Sequence, residues 1–188
     1  MGVKKLPYDA EVEYLESTGT QYINTNIVPT SATTFTFVMA ITNSGDVQNG
    51  VIQGISGTNY RFHLGKEGGY FQGGVGTSYK RVSRENTQRH TFSLIGSGVL
   101  KIDNSSYTCN NLRNITIPIF VFARNSNGNP SNNIKGKLYS CQIYDSSELI
   151  MNLIPVRVGT VGYMYDKVTK RLFGNAGTGN FTLGSDVN

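Results

Sequence analysis

The sequence has no tryptophan and only two histidines and two cysteines among its 188 residues. Two cysteines cannot build a disulfide framework, and neither Cys109 nor Cys141 stands at a metal-ligand spacing. We therefore expect two buried thiols, with one disulfide between two strands as the alternative. His63 and His90 have no acid or cysteine at zinc spacing, so we interpret both as structural, each within a strand.

Long apolar runs and strong helix formers are also scarce. No segment reaches the roughly 18 apolar residues that a transmembrane helix needs. Lys4 and Lys5 are not followed by the apolar stretch of a signal peptide, so we expect either no export by that route or a leader that has been removed. Glycine, serine, threonine, asparagine and tyrosine are abundant instead, which favours strands and turns.

Acidic residues are few, with 12 Asp and Glu against 17 Lys and Arg, and the net charge is +5. The basic residues are scattered, and their closest groups are Lys80–Arg84 and Lys167–Arg171. We interpret this charge as a contribution to solubility. The alternative is contact with an anionic surface such as lipopolysaccharide, a capsule or an acidic neighbouring subunit. Neither a nucleic-acid-binding module nor a basic stripe is present, so we expect no nucleic-acid partner.

Short alternating segments separated by turn residues follow one another at intervals of roughly 8 to 12 residues, which is typical of a sandwich or barrel. In residues 33–42 the apolar side chains are in phase and should face the core: Phe35, Phe37, Met39 and Ile41. Residues 117–124 are continuously apolar, which predicts a strand buried on both faces.

The clearest strand–turn–strand unit is residues 134–155. The turn is expected at residues 145–147, and Pro155 should end the second strand because it has no N–H for the ladder. Alternation places Tyr139, Cys141 and Ile143 on the core face and Leu138 on the opposite face.

Three motifs carry a family resemblance: GKLYSCQIYD…LIPV in this unit, EYLESTGTQYINT near the start, and GYMYDKVTKRLFGNAGTGNFTLG at the end. With them the chain resembles a family of concanavalin A-like, laminin-G-like jelly-roll proteins of gut Bacteroidales and their phages. The resemblance implies an all-β fold, a concanavalin A-like β-sandwich of two antiparallel sheets. We predict an N-terminal arm over residues 1–10 and a single domain over residues 11–188.

Two groups of acidic residues resemble parts of known catalytic or metal sites, and we interpret neither group as such a site. Glu11, Glu13 and Glu16 partly match the Glu-x-Asp-x-x-Glu strand of laminarinase-type glucanases, whose paired carboxylates cleave glycosidic bonds. The middle acid differs, and tryptophan for sugar stacking is missing, so we interpret the trio as a solvated strand edge. Three aspartates stand in turns without a dense acidic loop, so we assign neither a calcium site nor any other metal or cofactor: Asp46, Asp103 and Asp145.

Residues 43–80 are glycine-rich and form a predicted meander of short strands. Within it and beside it, aromatic rings alternate with amide and guanidinium groups, which together can stack on and orient a sugar. The candidate ligand-binding residues are Tyr60, Arg61, Tyr70, Gln72 and Tyr79. The same rings would also serve as core residues of a sandwich.

We therefore predict a non-catalytic phage virion protein with a structural or adhesion role, such as a capsid decoration, head-fibre or tail-associated subunit. Its expected partners are other virion proteins or further copies of itself, assembled in the cytoplasm of the bacterial host, without membrane insertion. The alternative is a carbohydrate-binding module at the bacterial cell surface that recognises a surface glycan. A third alternative is a laminarinase-type glycoside hydrolase.

Overall fold

A computed structural model describes residues 6–43 and 45–187. Those residues form an all-β sandwich of two packed sheets, as the sequence predicts, and none of them is helical. The first ten strands are β1 (Ala10–Glu11), β2 (Leu15–Thr18), β3 (Ile23–Asn24), β4 (Thr33–Ile41), β5 (Val47–Ile55), β6 (Thr58–Glu67), β7 (Tyr70–Gly76), β8 (Lys80–Arg84), β9 (Arg89–Ile95) and β10 (Val99–Ile102). The other nine are β11 (Ser105–Thr108), β12 (Phe120–Val121), β13 (Arg124–Ser126), β14 (Asn129–Ser131), β15 (Lys135–Asp145), β16 (Glu148–Val158), β17 (Val161–Asp166), β18 (Leu172–Phe173) and β19 (Thr182–Leu183).

The larger sheet has the strand order β11-β10-β9-β4-β15-β16-β17-β18. Strand β1 adds to β16, and β2 pairs with both β15 and β19. All of these pairings are antiparallel. The long strands β15 and β16 are the unit that the sequence singles out, and they lie near the middle of this sheet.

The smaller sheet has the order β14-β13-β5-β6-β7-β8, with β12 and β3 attached beside β5. Strands β5 to β8 form a meander, as predicted for the glycine-rich region. The pairing of β13 with β5 is parallel and joins residues more than 70 positions apart. This long-range pairing brings Arg124 next to the meander. Within the described residues, no helix long and apolar enough to span a membrane is found.

The core lies between the two sheets. Phe35, Phe37, Met39 and Ile41 all face it and are fully buried, which confirms the alternation read from the sequence. Phe37 stacks on Phe92 of the neighbouring strand with ring centroids 5.1 Å apart. Contact between the sheets includes Phe35 and Phe62, whose ring centroids are 6.4 Å apart.

The face assignment for β15 is wrong at its start. Leu138 is buried in the core together with Cys141 and Ile143, whereas Tyr139 is only partly buried. The register with β4 shifts between Leu138 and Ser140, so the strand bulges there. A bulge adds one residue and reverses the alternation beyond it. Tyr139 consequently packs against Tyr14 outside the core, with ring centroids 5.8 Å apart.

Residues 117–124 do not form the single strand that the sequence predicts. Strand β12 covers only Phe120 and Val121, and Phe122 then adopts a left-handed backbone with a φ of 67°. The Phe122 amide donates a 2.6 Å hydrogen bond to the Asn49 side chain, which anchors this change of direction. The apolar run is buried as expected, but through a bend rather than through a central strand.

Pro155 does not end its strand, because β16 continues to Val158. The Pro155 carbonyl accepts a 3.0 Å hydrogen bond from the Val12 amide. In a strand the nitrogen of a residue points to the same side as its carbonyl, so the missing N–H faces Val12. The ladder with β17 therefore loses nothing, and proline is tolerated.

The predicted arm over residues 1–10 falls partly outside the described residues, which begin at residue 6. Tyr8 packs on Tyr165, with ring centroids 4.9 Å apart. The Asp9 amide donates a 2.9 Å hydrogen bond to the Arg157 carbonyl, and Ala10 pairs with Arg157. Residues 8–10 thus lie against the chain's own larger sheet.

Candidate functional site

The outer face of the smaller sheet carries polar side chains around glycines. Arg124, Gly50, His63 and Gly74 lie side by side on β13, β5, β6 and β7. Residues that alternate with them along the strands face the core and are buried, such as Val51. The row itself therefore faces away from the core.

The next row on the same face repeats the arrangement, with Gly65 between Gln48 and Gln72. A Cβ atom at Gly65 would stand 1.8 Å from the Val47 carbonyl oxygen, so the approach of the two strands requires glycine there. We name the four polar side chains of the two rows the polar cluster: Gln48, His63, Gln72 and Arg124. The glycines between them place no side chain in the space that these four groups surround.

Arg124 is held by amide oxygens. Its Nη1 donates to Gln48 Oε1 at 3.1 Å, and its Nη2 donates to Asn132 Oδ1 at 2.8 Å. Asn132 in turn donates to the Asp46 carbonyl at 3.0 Å. The guanidinium group is thus fixed in place, while its Nε lies buried without a hydrogen-bond partner among the described residues.

His63 is the most enclosed titratable group on this face, with only 1% of its surface exposed. Burial, followed by the charges of Arg124 and Arg61, holds the pKa of His63 well below its ordinary value. The imidazole is therefore neutral at pH 7 and offers one N–H donor and one acceptor nitrogen. Neither ring nitrogen has a hydrogen-bond partner in the described part of the chain.

Buried polar atoms without partners concentrate in the polar cluster. Across residues 6–43 and 45–187 there are five such side-chain atoms, and four belong to His63, Gln72 and Arg124. The fifth is Oε2 of Glu85. Native proteins bond nearly all of their buried polar groups, and exceptions call for a functional or structural reason. Four of the five exceptions lie within two neighbouring rows, which makes the polar cluster the candidate site.

Tyr79 and Arg61 cover the polar cluster. The Tyr79 ring lies over His63 with centroids 5.9 Å apart, and the Arg61 guanidinium stands 5.4 Å from the Tyr79 centroid. The Tyr79 hydroxyl donates to the Glu67 carboxylate. Tyr79 itself is 42% exposed, so one face of this cover meets solvent.

Tyr79 belongs to the turn between β7 and β8, whereas Arg61 lies on β6. Ser78 lies so close that a Cβ atom at Gly74 would stand 2.1 Å from the Ser78 carbonyl oxygen. Asn110 holds the turn from its other side, since its amide Nδ2 donates to Thr77 Oγ1 at 2.7 Å and its backbone amide donates to Ser78 Oγ at 2.9 Å. Hydrogen bonds from Asn110, which lies in a separate loop, therefore hold the turn that carries Tyr79.

Glu67 is the carboxylate nearest to this cover. Burial, followed by the charge of Asp46, raises the pKa of Glu67, while Arg124 and Arg81 act in the opposite direction. Tyr70, opposite Glu67 in the register, has the guanidinium groups of Arg81 and Arg84 4.5 and 5.5 Å from its ring centroid. Cationic groups therefore surround the exposed edge of the site.

A cleft of about 560 Å³ adjoins the same turn. Asparagines and one aromatic ring line it, together with a thiol: Tyr60, Thr77, Cys109, Asn110, Asn111, Arg113 and Asn114. A second cleft, of about 600 Å³, lies beside β18 and includes Ile150, Met151 and Phe173. Neither cleft is lined by one of the buried unpartnered atoms found in the described residues.

The five predicted ligand-binding residues do not all lie at one place in the structure. Arg61, Gln72 and Tyr79 come together at the polar cluster. Tyr60 lies apart from them in the cleft of about 560 Å³, and Tyr70 lies at the arginine-rich edge.

Gln48 and Arg124 are site residues that the sequence analysis does not find, and His63 is there given only a structural role. The sequence signal that would have pointed to Gln48 and His63 is the recurrence of glycine in three successive strands, because each of these side chains has glycine opposite it in the sheet. Arg124 has no such signal, because it reaches the site through the parallel pairing of β13 with β5.

The three acids compared with glucanases do not share a strand. Glu11 belongs to β1, which pairs with β16, whereas Glu16 belongs to β2, which pairs with β15. Glu13 is exposed between these strands. Glu11 accepts a 3.1 Å hydrogen bond from the Tyr8 hydroxyl. The arrangement therefore lacks the single strand face on which glucanases pair their carboxylates.

The remaining candidate groups lie outside the polar cluster. His90 contacts Asp103 and Asn86, both at 2.7 Å from its ring nitrogens. Cys109 and Cys141 are free thiols, and Cys141 is fully buried whereas Cys109 is half-buried. No group of three or more His, Cys, Asp or Glu side chains in the described residues is arranged to hold a metal ion.

Comparison of this chain with protein-family models, with curated proteins and with solved structures found no match.

Proposed function

We propose that this chain is a non-catalytic glycan-binding β-sandwich whose binding surface is the polar cluster with its cover. The observation that carries the proposal is the set of buried, unpartnered polar atoms on His63, Gln72 and Arg124. A ligand with several hydrogen-bonding groups would satisfy them, and sugars present such groups at short, regular spacing.

The side chains around these atoms support a sugar rather than an apolar ligand. Amide and guanidinium groups can each bond two neighbouring hydroxyl groups, and Gln48, Gln72 and Arg61 supply them. Tyr79 adds a partly exposed aromatic face at the entrance. Small-molecule sites typically combine such a ring with a few placed polar groups.

Entry to the site requires Tyr79 to move, because its ring lies over His63. Among the described residues, the Tyr79 hydroxyl makes a single hydrogen bond, which it donates to the Glu67 carboxylate. A sugar that stacks on the displaced ring would replace the contact with His63. We therefore assign Tyr79 the role of stacking platform and cover.

The first prediction concerns Gln72→Met, which removes the unpartnered amide and keeps the length of the side chain. We expect binding to the best ligand on a glycan array to weaken at least tenfold by calorimetry. The free energy of unfolding should stay equal or rise, because an unpaired buried polar group costs about 1–3 kcal/mol.

The matched control is Gln142→Met on the larger sheet. The Gln142 amide is partnered, because it donates to Asn152 at 3.4 Å and accepts from Tyr144 at 3.2 Å. This variant should lose about 1 kcal/mol of stability and keep full glycan affinity. Equal affinities for both variants, or no glycan bound by the unaltered chain, would refute the proposal.

A separate experiment tests the proposal that the chain does not hydrolyse the glycan it binds. Bound oligosaccharides should remain intact after prolonged incubation, as judged by reducing-end release. Hydrolysis that disappears in Glu67→Gln would contradict it, since Glu67 is the carboxylate that contacts Tyr79 and the charge of Asp46 helps to raise its pKa. In that case the chain would be a glycoside hydrolase.

Glycan binding agrees with the adhesion role expected from the sequence, because a glycan-binding subunit would attach a phage particle to a bacterium. The same activity would serve a module at a bacterial cell surface. The particle, its subunits and the place of the chain within it stay predictions.

A further inference from the structure

The unpartnered atoms of the polar cluster are mostly donors. Nε of Arg124 and Nε2 of Gln72 can only donate hydrogen bonds, and neutral His63 offers one donor and one acceptor. A ligand that fits this set must bring more acceptors than donors. A sugar hydroxyl group brings one donor and two acceptor lone pairs, whereas a carboxylate brings two acceptor oxygens and no donor, so it can serve several of these donors at once.

The geometry of Arg124 adds to this preference. Gln48 and Asn132 each accept one hydrogen bond from a terminal nitrogen of Arg124, and together they fix the plane of the guanidinium group. The unpartnered Nε–H therefore has one fixed direction, which suits a single anionic oxygen. Arg124 and His63 are separated on the sheet only by Gly50, so their side chains flank the same open backbone.

Positive charge extends from the polar cluster along the same face. Arg61 lies over Tyr79 at the entrance, and Arg81 and Arg84 stand over Tyr70 at the edge. Glu67 and Asp46 carry the opposing charges near Arg124, and Glu67 also accepts a hydrogen bond from the Tyr79 hydroxyl. An anionic ligand would be attracted to this face over a distance of roughly 10 Å at 0.1 M salt.

We propose that the polar cluster binds the carboxylate of an acidic sugar, so that the glycan recognised is built from uronic acids. Nε–H of Arg124 and the Gln72 amide donate to the carboxylate oxygens, and the sugar ring takes the place beside Tyr79. This inference rests on the proposed glycan-binding function and specifies its ligand class.

The test compares ligands that differ only in the carboxylate. The probes are oligogalacturonates, oligomannuronates, oligoguluronates and oligoglucuronates, each measured by calorimetry against its own methyl ester. At least one acidic series should bind tenfold or more tightly than its ester. Raising the salt concentration from 50 to 500 mM should weaken binding of the acid and leave that of the ester nearly unchanged.

Arg124→Met should remove most of the difference between acid and ester. Arg89→Met is the control, because Arg89 is an arginine on the larger sheet whose guanidinium stacks on Tyr139 at 4.0 Å. Thermal unfolding of both variants checks that they fold. If Arg124→Met does not fold, the comparison of acid with ester on the unaltered chain decides alone.

The outcomes separate this inference from the function on which it rests. One outcome refutes only the preference for a carboxylate: every acid binds as tightly as its ester, neutral glycans also bind, and Gln72→Met weakens that binding. The proposed glycan-binding function would then stand. Absence of binding to acidic, esterified and neutral glycans alike overturns both.

Discussion

His63 shows how one buried residue links the site to stability. The folded chain keeps this imidazole neutral between Arg61 and Arg124, whereas the unfolded chain lets it protonate near pH 6.5. A pKa that is lower in the folded state contributes stability above the unfolded pKa, and that stability is lost as the pH falls towards the folded pKa. Acid conditions should therefore weaken the fold through this residue.

The second prediction follows from the lowered pKa of His63 in the folded chain. Below pH 6.5, the free energy of unfolding of the unaltered chain should fall relative to that of His63→Leu, by up to about 1.4 kcal/mol per pH unit. Urea denaturation at pH 7.5, 6.5, 5.5 and 4.5 measures the difference. Parallel profiles for the two chains would show that His63 protonates without cost and is not enclosed as described.

At the scale of strands, the glycines of β5, β6 and β7 decide how closely the meander packs. Gly65→Ala would bring a Cβ atom to 1.8 Å from the Val47 carbonyl oxygen, so strands β5 and β6 would have to separate. At Gly54 on β5, the nearest atom to a Cβ would be 3.4 Å away, which is ordinary contact.

The third prediction compares alanine substitutions at Gly65 and Gly54. Gly65→Ala should destabilise the chain by about 3 kcal/mol and abolish glycan binding, because overpacking forces backbone shifts beneath the polar cluster. Gly54→Ala should cost less than about 1 kcal/mol and leave binding unchanged. Chemical denaturation and calorimetry measure both effects. A stable Gly65→Ala chain with full affinity would contradict the described strand approach.

Strand identity was largely predictable from the sequence, because alternation and turn residues are local signals. The core face of β4 follows from the positions of Phe35, Phe37 and Met39 alone. The errors arose where a local signal competes with a tertiary one. The bulge at Tyr139 reverses alternation without a sequence marker, and Pro155 is tolerated because its nitrogen faces Val12.

The site was only partly predictable for the same reason. Gln72 and Tyr79 belong to the meander and the turn that follows it, and composition pointed to both. Arg124 approaches Gln48 across a parallel pairing that no periodicity reveals. The unpartnered state of buried atoms is a property of the folded chain and has no counterpart in the sequence.

For the whole molecule, the fourth prediction concerns a chain that starts at residue 11. It loses the packing of Tyr8 on Tyr165 and the bond from Asp9 to Arg157. We expect about 2 kcal/mol less stability, since an aromatic pair and a backbone bond each contribute about 1 kcal/mol. Glycan affinity should not change, because the polar cluster lies on the other sheet.

As a control, light scattering measures the molar mass of the full chain and of the chain that starts at residue 11. A multimer that dissociates and loses its glycan affinity on truncation would place the site between copies of the chain. That result would contradict a site complete within one chain and would support the virion-subunit role expected from the sequence.

The order in which strands pair has a consequence for synthesis on the ribosome. Strand β4 lies between β9 and β15, and Thr33 meets its partner Asp145 more than 100 residues later. The meander from β5 to β8 pairs only with sequence neighbours, apart from the contacts of β5 with β12 and β13. A nascent chain can therefore assemble most of the smaller sheet early, whereas β4 lacks both of its neighbouring strands until β9 and β15 have been synthesised. Until then Phe35 and Phe37 are only partly covered, which makes these residues natural targets for a chaperone.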